Sequence, residues 1–373
     1  MEPLGIGIVG CGNIAGAYAS DSATHPEIRL VSATDLDPAR ATAFAAQHGC
    51  RAHRSLDDLV ADDEVDIVVN LTVHQAHYEV TKRSLEAGRH VYSEKPLALA
   101  AAQARELVDL AAAKRLRLGC SPSTLLGEAQ QTAAAIIRGG RLGVVRAVYA
   151  EVNHGRIETW HPAPAPFFDV GVMVDVGVYP LTLATAMLGP AQAVRAWAFE
   201  LMPNRTTVSG EPFRIGRPDL TVAVIELGDA SVMRLTASFY VGRPARQRAS
   251  MEFHGDAGSL SLGSFERFDA AVETGAYGEE YEPVALVRPP YPGTAWARGV
   301  AEMAGAIREG RPHRATGEHA AHVTEILDGI AASSAAGGDR IEIGSTFDPP
   351  APMPWAATAA PAENPALPRS SRL

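Results

Sequence analysis

An α/β chain in two parts is predicted: an N-terminal doubly wound parallel sheet, then a C-terminal α/β region built on a large, mostly antiparallel open sheet. Three observations predict it. Over the first third of the chain, strand-like apolar runs alternate with helical stretches, the order that gives a parallel sheet covered on both faces. A glycine-rich turn follows the first of those runs. Beyond residue 123 the alternation gives way to longer strands at hairpin spacing.

The elements can be justified in order. "LGIGIVG" is a short apolar strand ending in glycine, and "NIAGAYASDSA" starts a helix. "IRLVSATD" is the second strand; "DPARATAFAAQHG" is a helix with Pro38 in its first turn and Gly49 past its end. "VDIVVNLT" and "HVYSE" are further strands, separated by the helix "HQAHYEVTKRSLEAG" and followed by "LAAAQARELVDLAAAKR" and "LRLGCSP". In the second part, "LTVAVIELGDASVMRLTASFYV" and "ASMEFHGDAGSLSLG" each read as two strands about a turn. A late helical pair, "WARGVAEMAGAIREG" and "TGEHAAHVTEILDGIAASSA", follows. Domains are expected over residues 1–123 and 124–345, with an Ala/Pro-rich tail over 346–373 expected to be disordered.

Bulk properties narrow the function. The 373 residues suffice for two ordinary domains, and 46% hydrophobic against 20% charged residues is a globular balance. Lys+Arg 33 against Asp+Glu 43 leaves a net charge of −10, which argues against a general partner among nucleic acids or anionic membranes. Cys11, Cys50 and Cys120 are widely spaced and form neither a disulfide framework nor a thiolate zinc set, so a reducing cytoplasm is expected. "MEPLGIGIVG" has no basic region, apolar core or cleavage site, so no signal peptide is expected. No apolar run approaches the length of a membrane span.

The glycine turn is the first chemical signal. Gly10-Cys11-Gly12-Asn13-Ile14-Ala15 fits G-x-G-x-x-A between a strand and a helix, the context of a Rossmann dinucleotide site. Glycine lets the backbone approach a pyrophosphate, and the helix start offers unpaired N–H groups and a positive dipole. The second strand ends in Asp35, about 20 residues on, where an acid binding the adenosine ribose belongs. Such an acid repels a 2′-phosphate, so NAD is expected over NADP; Arg40 nearby keeps NADP open.

Lys95 is the second signal. In "HVYSEKPLALA" it lies just past a strand end, the edge of a parallel sheet where ligands bind. An ammonium there can donate to a substrate oxygen, or act as acid/base if burial and a positive neighbour lower its pKa. Pro96 stiffens the turn, and its peptide isomer is not fixed by the sequence. By residue type alone, a surface lysine is the simpler reading.

The set "GIVGCGNIAGAY", "NLTVHQAHYEV", "SLEAGRHVYSEKPLA" and "DVGVYPL" resembles the Gfo/Idh/MocA oxidoreductase family over nearly the whole chain, to about residue 345. The resemblance implies a Rossmann domain and a mixed α/β domain, often dimeric or tetrameric through its sheet, so a homodimer or homotetramer is expected. Lys95 matches the family's active-site lysine. Asp175 and Tyr179, four residues apart, share one helix face and would converge on a substrate beside it. Tyr179 is assigned as the general acid/base, its phenol, with an ordinary pKa of ~10, eased toward phenolate by Lys95 and oxidised nicotinamide. Asp175 would position a sugar hydroxyl or orient Lys95. His77 matches a position on the nicotinamide side of the cleft; with Thr72, Glu94 and Lys95 it is expected to contact the cofactor. The family's glycine-rich run before the aspartate is reduced here to Val170-Gly171-Val172.

A loop carrying His154, Arg156, Trp160 and His161 offers an aromatic face beside polar groups, which suits a sugar; a merely packed loop is the rival reading. Trp296 and Arg298 begin a helix that could fold back over the cleft. His319 and His322, three apart on a helix, lack a third ligand, and no metal is expected. The expected activity is NAD(P)-dependent oxidoreduction at a secondary alcohol of a sugar, cyclitol or glycoside. Two rivals stand beside it: transient redox leading to glycoside cleavage or elimination, and a non-enzymatic nucleotide-binding sensor.

Overall fold

The computed structural model describes residues 2–228, 230–242 and 244–357. Six parallel strands form the first sheet: β1 Leu4–Val9, β2 Ile28–Thr34, β3 Arg51–Ala52, β4 Ile67–Asn70, β5 His90–Ser93 and β6 Leu118–Cys120. Their order is β3-β2-β1-β4-β5-β6, so the chain reverses direction across the sheet between β1 and β4. In this architecture that reversal opens a crevice at the carboxyl ends of the strands. β4 is fully buried, as a strand covered on both faces must be. Helices α1 Ala15–Ser22, α2 Pro38–His48, α3 Leu56–Val60, α4 His77–Glu86 and α5 Ala101–Lys114 connect the strands. At α2 the Asp37 carboxylate accepts from the Ala39 N–H, Pro38 sits in the first turn, and Gly49 ends the helix in the left-handed region at φ 69°.

After α6 Glu128–Arg138 comes a nine-stranded sheet. Its strands are β7 Val145–Asn153, β8 Ala191–Phe199, β11 Leu220–Leu227, β12 Ser231–Ser238, β13 Ala249–Gly255, β14 Gly258–Leu262, β15 Val272–Ala276, β16 Glu282–Pro283 and β17 Ile341–Glu342. A two-stranded hairpin, β9 Asn204–Thr206 and β10 Pro212–Arg214, is inserted between β8 and β11. Every pairing in the large sheet is antiparallel except β7 with β12. β11 alternates strictly, burying Thr221, Ala223, Ile225 and Leu227. That face packs on α6, on α8 Val178–Leu188 and on α10 Gly317–Ala335. The opposite face leaves Tyr149, Trp197 and Val232 exposed.

Helix α9 Arg298–Glu309 crosses back. Val300, Ala301, Met303 and Ala304 join the core of the first sheet with Ile6, Ile8 and Tyr92. The Ala297 N–H is received by Asp21 at 2.7 Å. Helix α9 thus lies beyond residue 123 in sequence while its apolar residues pack in the first core.

The tail differs from expectation over residues 346–357. Arg314 donates to the Ala351 and Pro352 carbonyls at 2.8 Å each, and the Met353 N–H reaches Gln131 at 2.9 Å. Arg288 lies 3.9 Å from the Trp355 ring centroid, and α11 Pro354–Ala357 follows on these anchors. Backbone carbonyls captured by a guanidinium order a segment that composition alone assigns to disorder. The rest of the expected tail lies outside the described residues.

His319 and His322 are structural. His319 stacks on Phe347 with ring centroids 4.1 Å apart and lies 2.7 Å from the Thr185 hydroxyl; His322 accepts from the Ala191 N–H at 2.9 Å. Burial lowers them from 6.5 to about 3 and about 4 respectively. Both rings stay neutral in the folded protein where the unfolded chain binds protons. Their contribution is complete above pH 6.5 and is lost as pH falls from 6.5 toward about 4 for His322 and about 3 for His319. The melting temperature should fall over that window, and His319→Phe should flatten part of the slope; a flat wild-type profile would exclude the effect.

Candidate active site

The nucleotide loop forms as the spacing requires. Gly10 has φ +96°, and a Cβ there would lie 2.8 Å from the Leu71 carbonyl oxygen, so only glycine fits. A Cβ on Gly12 would meet nothing within 4 Å, which leaves open space over the loop. Ile14 provides no side-chain cap to α1, so the helix start still presents its N–H groups. Asp35 stands at the end of β2 and accepts from the Cys11 and Asp37 N–H groups at 2.8 Å each. A phosphate cradle with room above it and an acid at the neighbouring strand end fit NAD. Arg40 is drawn toward Asp37 at 3.5 Å in an exposed pair.

The Asn13 amide contacts the His161 ring at 3.3 Å, which joins this loop to the loop after β7. Thr72 is tied by its N–H and hydroxyl to the Asn70 side chain at 3.3 and 2.7 Å. Asn70 in turn donates to His77 O and Thr81 Oγ1.

Lys95 follows β5 across a turn whose Lys95–Pro96 bond is cis. Its ammonium is not on the surface: Nζ donates to the Asp175 carboxylate at 2.9 Å and to the Asp175 carbonyl at 2.5 Å. Asp175 arrives on a π-helical turn, Met173–Gly177, after α7 Ala165–Val170. The one glycine of the reduced run, Gly171, makes the turn at φ 86°. Burial pushes the Asp175 carboxyl up, but the charge and hydrogen bond of Lys95 outweigh it and hold the group below its ordinary range, with smaller help from His74 and His154.

Tyr179 meets Lys95 differently from expectation. The ammonium lies 5.3 Å from the centroid of its ring. Burial first, then the charges of Glu266, Glu94 and Asp175, push the phenol well above 10. Two of the three lysine hydrogens go to Asp175, and burial with the carboxylate charges acts against the anticipated easing toward phenolate.

His77 and Glu94 also depart from expectation. His77 is 1% exposed, its ring nitrogens 2.7 Å from the Pro96 carbonyl and 3.0 Å from the Thr72 carbonyl. It staples the loop after β4 to the Lys95–Pro96 turn. Glu94 accepts from the Tyr18 hydroxyl at 2.7 Å and from the Lys95 N–H at 3.0 Å, so protein donors take its carboxylate. From the sequence, His74 reads as a helix-start residue rather than a ligand; it sits 3.7 Å from Asp175 Oδ1. Burial and the Lys95 charge lower it to about 4, so it stands neutral beside the pair. The signal was available: the first helical position after the strand carrying Asn70 points along the same sheet edge as Lys95.

The loop after β7 lines a cavity of about 470 Å³ with His154, Arg156, Thr159, Trp160 and Tyr240. His154 and Trp160 meet edge to face at 5.8 Å, and the Arg156 guanidinium lies 4.8 Å from the Tyr240 ring centroid. Tyr240 was not anticipated; it comes from beyond β12, which no local pattern links to residue 156. Trp296 packs 6.1 Å from Tyr18, and Arg298 grips Glu128 at 3.0 Å, so both bind elements together.

A glycine-loop crevice, a strand-end acid and a buried lysine–aspartate pair define a two-domain dinucleotide-binding protein of the α/β class. Residues 4–121 match the model of the oxidoreductase family with an NAD-binding Rossmann fold, and residues 130–261 match the GFO/IDH/MocA C-terminal domain. These matches cover well over half of the sequence, and the chain belongs to the Gfo/Idh/MocA oxidoreductase family. It is 33% identical over 200 residues to a dTDP-3,4-didehydro-2,6-dideoxy-alpha-D-glucose 3-reductase of Streptomyces violaceoruber, covering 52% of this chain and 57% of that protein. It is 31% identical over 198 residues to a D-xylose 1-dehydrogenase (NADP(+)) of Hypocrea jecorina, covering 47% and 51%. The chain thus spans about half the length of these relatives. An inositol dehydrogenase homolog from Azotobacter vinelandii, complexed with NADH and myo-inositol, shares the fold at a TM-score of 0.76 and 21% identity, covering 91% of this chain and 98% of that one.

Proposed function

We propose that the protein is an NAD-dependent oxidoreductase acting on a secondary alcohol, or the matching ketone, of a sugar, cyclitol or glycoside. The observation that carries this reading is the buried Lys95 ammonium, held by Asp175 at the strand edge beside the dinucleotide loop. Bound NAD or NADH supplies the hydride acceptor or donor. Gly10, Gly12, Asn13, Ile14 and Asp35 would hold it, with Thr72 toward the nicotinamide end. Lys95 donates to the reacting oxygen and stabilises developing negative charge on it. Asp175 fixes the ammonium and receives a neighbouring hydroxyl of a polyol. Tyr179 keeps its proton at neutral pH, so it serves directly as the donor in carbonyl reduction. The cavity lined by Trp160 and Tyr240 takes the rest of the substrate.

The sugar-acting relatives named above support the substrate class. The exposed face of the nine-stranded sheet, with Tyr149, Trp197 and Val232, supports a homo-oligomer packed through it. Among the described residues no helix is long and apolar enough to cross a membrane. The three free cysteines suit a cytoplasmic setting.

The test is a panel of myo-inositol, xylose, glucose and simple glycosides with NAD or NADP, followed by NADH or NADPH absorbance. Net reduction with one group of substrates supports the reading. Tightly retained NAD with glycoside cleavage and no net NADH would replace it with transient redox; bound NAD without any turnover would leave a sensor. Asp35→Ala should weaken NAD by ~10-fold or more, the size of a lost charge-assisted hydrogen bond, and NADP by less. Equal weakening of both would remove Asp35 from the ribose site.

A further inference from the structure

The cavity lined by His154, a residue whose charge reaches Asp175, carries a charge pattern that hydride transfer to a neutral polyol does not need. Among the described residues no carboxylate lines it, although the chain as a whole carries −10. Glu158 lies in the same loop but is 3% exposed, with Oε1 taken by Arg205 at 2.7 Å. Arg156 is the cationic group of the wall. Its guanidinium rests on the Tyr240 ring, and among the described residues it enters no ion pair. A guanidinium laid on an aromatic face keeps its N–H fork free for a planar or tetrahedral anion.

A second observation extends the pattern. From Tyr240 through Gly242, which also lines the cavity, the chain runs into a stretch containing exposed Arg246 and Arg248. No Asp or Glu occurs between Phe239 and Met251. Asn153, next to His154, holds this stretch against the cavity: its N–H donates to Arg248 O and its side chain to Gln247 O, each at 2.6 Å. One guanidinium thus stands in the wall, two more belong to the exposed stretch that Asn153 holds beside it, and His154 links the wall to Asp175.

We propose that the substrate carries, besides its reacting hydroxyl or carbonyl, an anionic group that Arg156 binds: a phosphate ester or a carboxylate on a sugar whose ring lies against Trp160. The inference rests on the oxidoreductase reading above and names its substrate class. Arg156 is a specificity residue; the reacting oxygen stays with Lys95.

The test uses the full chain loaded with NAD, so that the dinucleotide's own phosphates are already in place. Turnover is measured on matched pairs: glucose against glucose 6-phosphate and UDP-glucose, and galactose against galacturonate. One anionic member should exceed its neutral partner in kcat/KM by about 10-fold or more, mainly through KM. Arg156→Gln should collapse that ratio, and Arg156→Lys should restore part of it. The phosphate and carboxylate arms decide between the two anions. Equal kcat/KM within every pair, or an unchanged ratio in Arg156→Gln, would overturn the proposal while leaving the oxidoreductase reading intact. Binding of glucose 6-phosphate, UDP-glucose and galacturonate, followed by tryptophan fluorescence, decides the case if no sugar is turned over. Arg156-dependent binding would then uphold the anion site without the redox chemistry, and no binding would remove it.

Discussion

Lys95→Ala is expected to lower kcat by about 10²–10⁴-fold, the range for losing a positioned proton-transfer or oxyanion-stabilising group. NAD affinity should change little, because the loop from Gly10 to Ala15 and Asp35 make no contact with Nζ. The variant also strands a charge: Asp175 would remain buried without the ammonium that now offsets its burial. Breaking such a pair costs about 3–5 kcal/mol, so a fall in melting temperature is expected alongside the loss of rate. Lys95→Ala/Asp175→Asn separates the two effects. Removing the stranded carboxylate should recover most of the stability and none of the activity. Recovery of both would reduce Lys95 to a structural role, and wild-type turnover in Lys95→Ala would remove it from the chemistry.

How far the sequence reached depended on the range of the interactions. The dinucleotide loop was legible because each requirement is local: a positive φ at Gly10, a helix start, and an acid at the end of the next strand. The β11–β12 hairpin was legible from period-two burial around a turn. Lys95, Asp175 and Tyr179 were brought together as the motif match implied, yet the direction of the Tyr179 shift was not. That direction depends on Glu266, which lies 87 positions away in sequence, and on burial by Phe265, neither of which leaves a local mark. The packing of His77 was not legible for a related reason: a histidine at a helix start gives no sign that two backbone carbonyls will close over it. The return of α9 to the first core and the anchoring of residues 351–355 are long-range pairings of the same kind.

Arg205→Met should produce the largest stability loss of any substitution outside the Lys95 pair. The Arg205 side chain is 0% exposed, and its guanidinium joins Glu158 Oε1 at 2.7 Å and Asp219 Oδ2 at 2.5 Å. It also donates to the Met202 and Phe239 carbonyls and lies 4.9 Å from the Phe168 ring centroid. Two buried carboxylates share this one cation, so its removal leaves both uncompensated, at a cost of about 3–5 kcal/mol and a melting shift on the order of 10 °C. Neutralising the acids in the same background, with Glu158→Gln and Asp219→Asn, should return most of that loss. A buried ion set is costly to break and cheap to replace whole. The functional effect follows from where Glu158 sits in the chain: buried behind the wall, between Arg156 and Trp160, which line the cavity. Once Glu158 is released, the wall loses its anchor to the β9–β10 hairpin, and KM for the sugar should rise several-fold more than Kd for NAD, which the first sheet holds. A melting temperature within 2 °C of wild type would mean that the triad is already solvated and does not fix the wall; equal losses in sugar and NAD binding would mean that Arg205 supports the whole molecule and not the substrate loop.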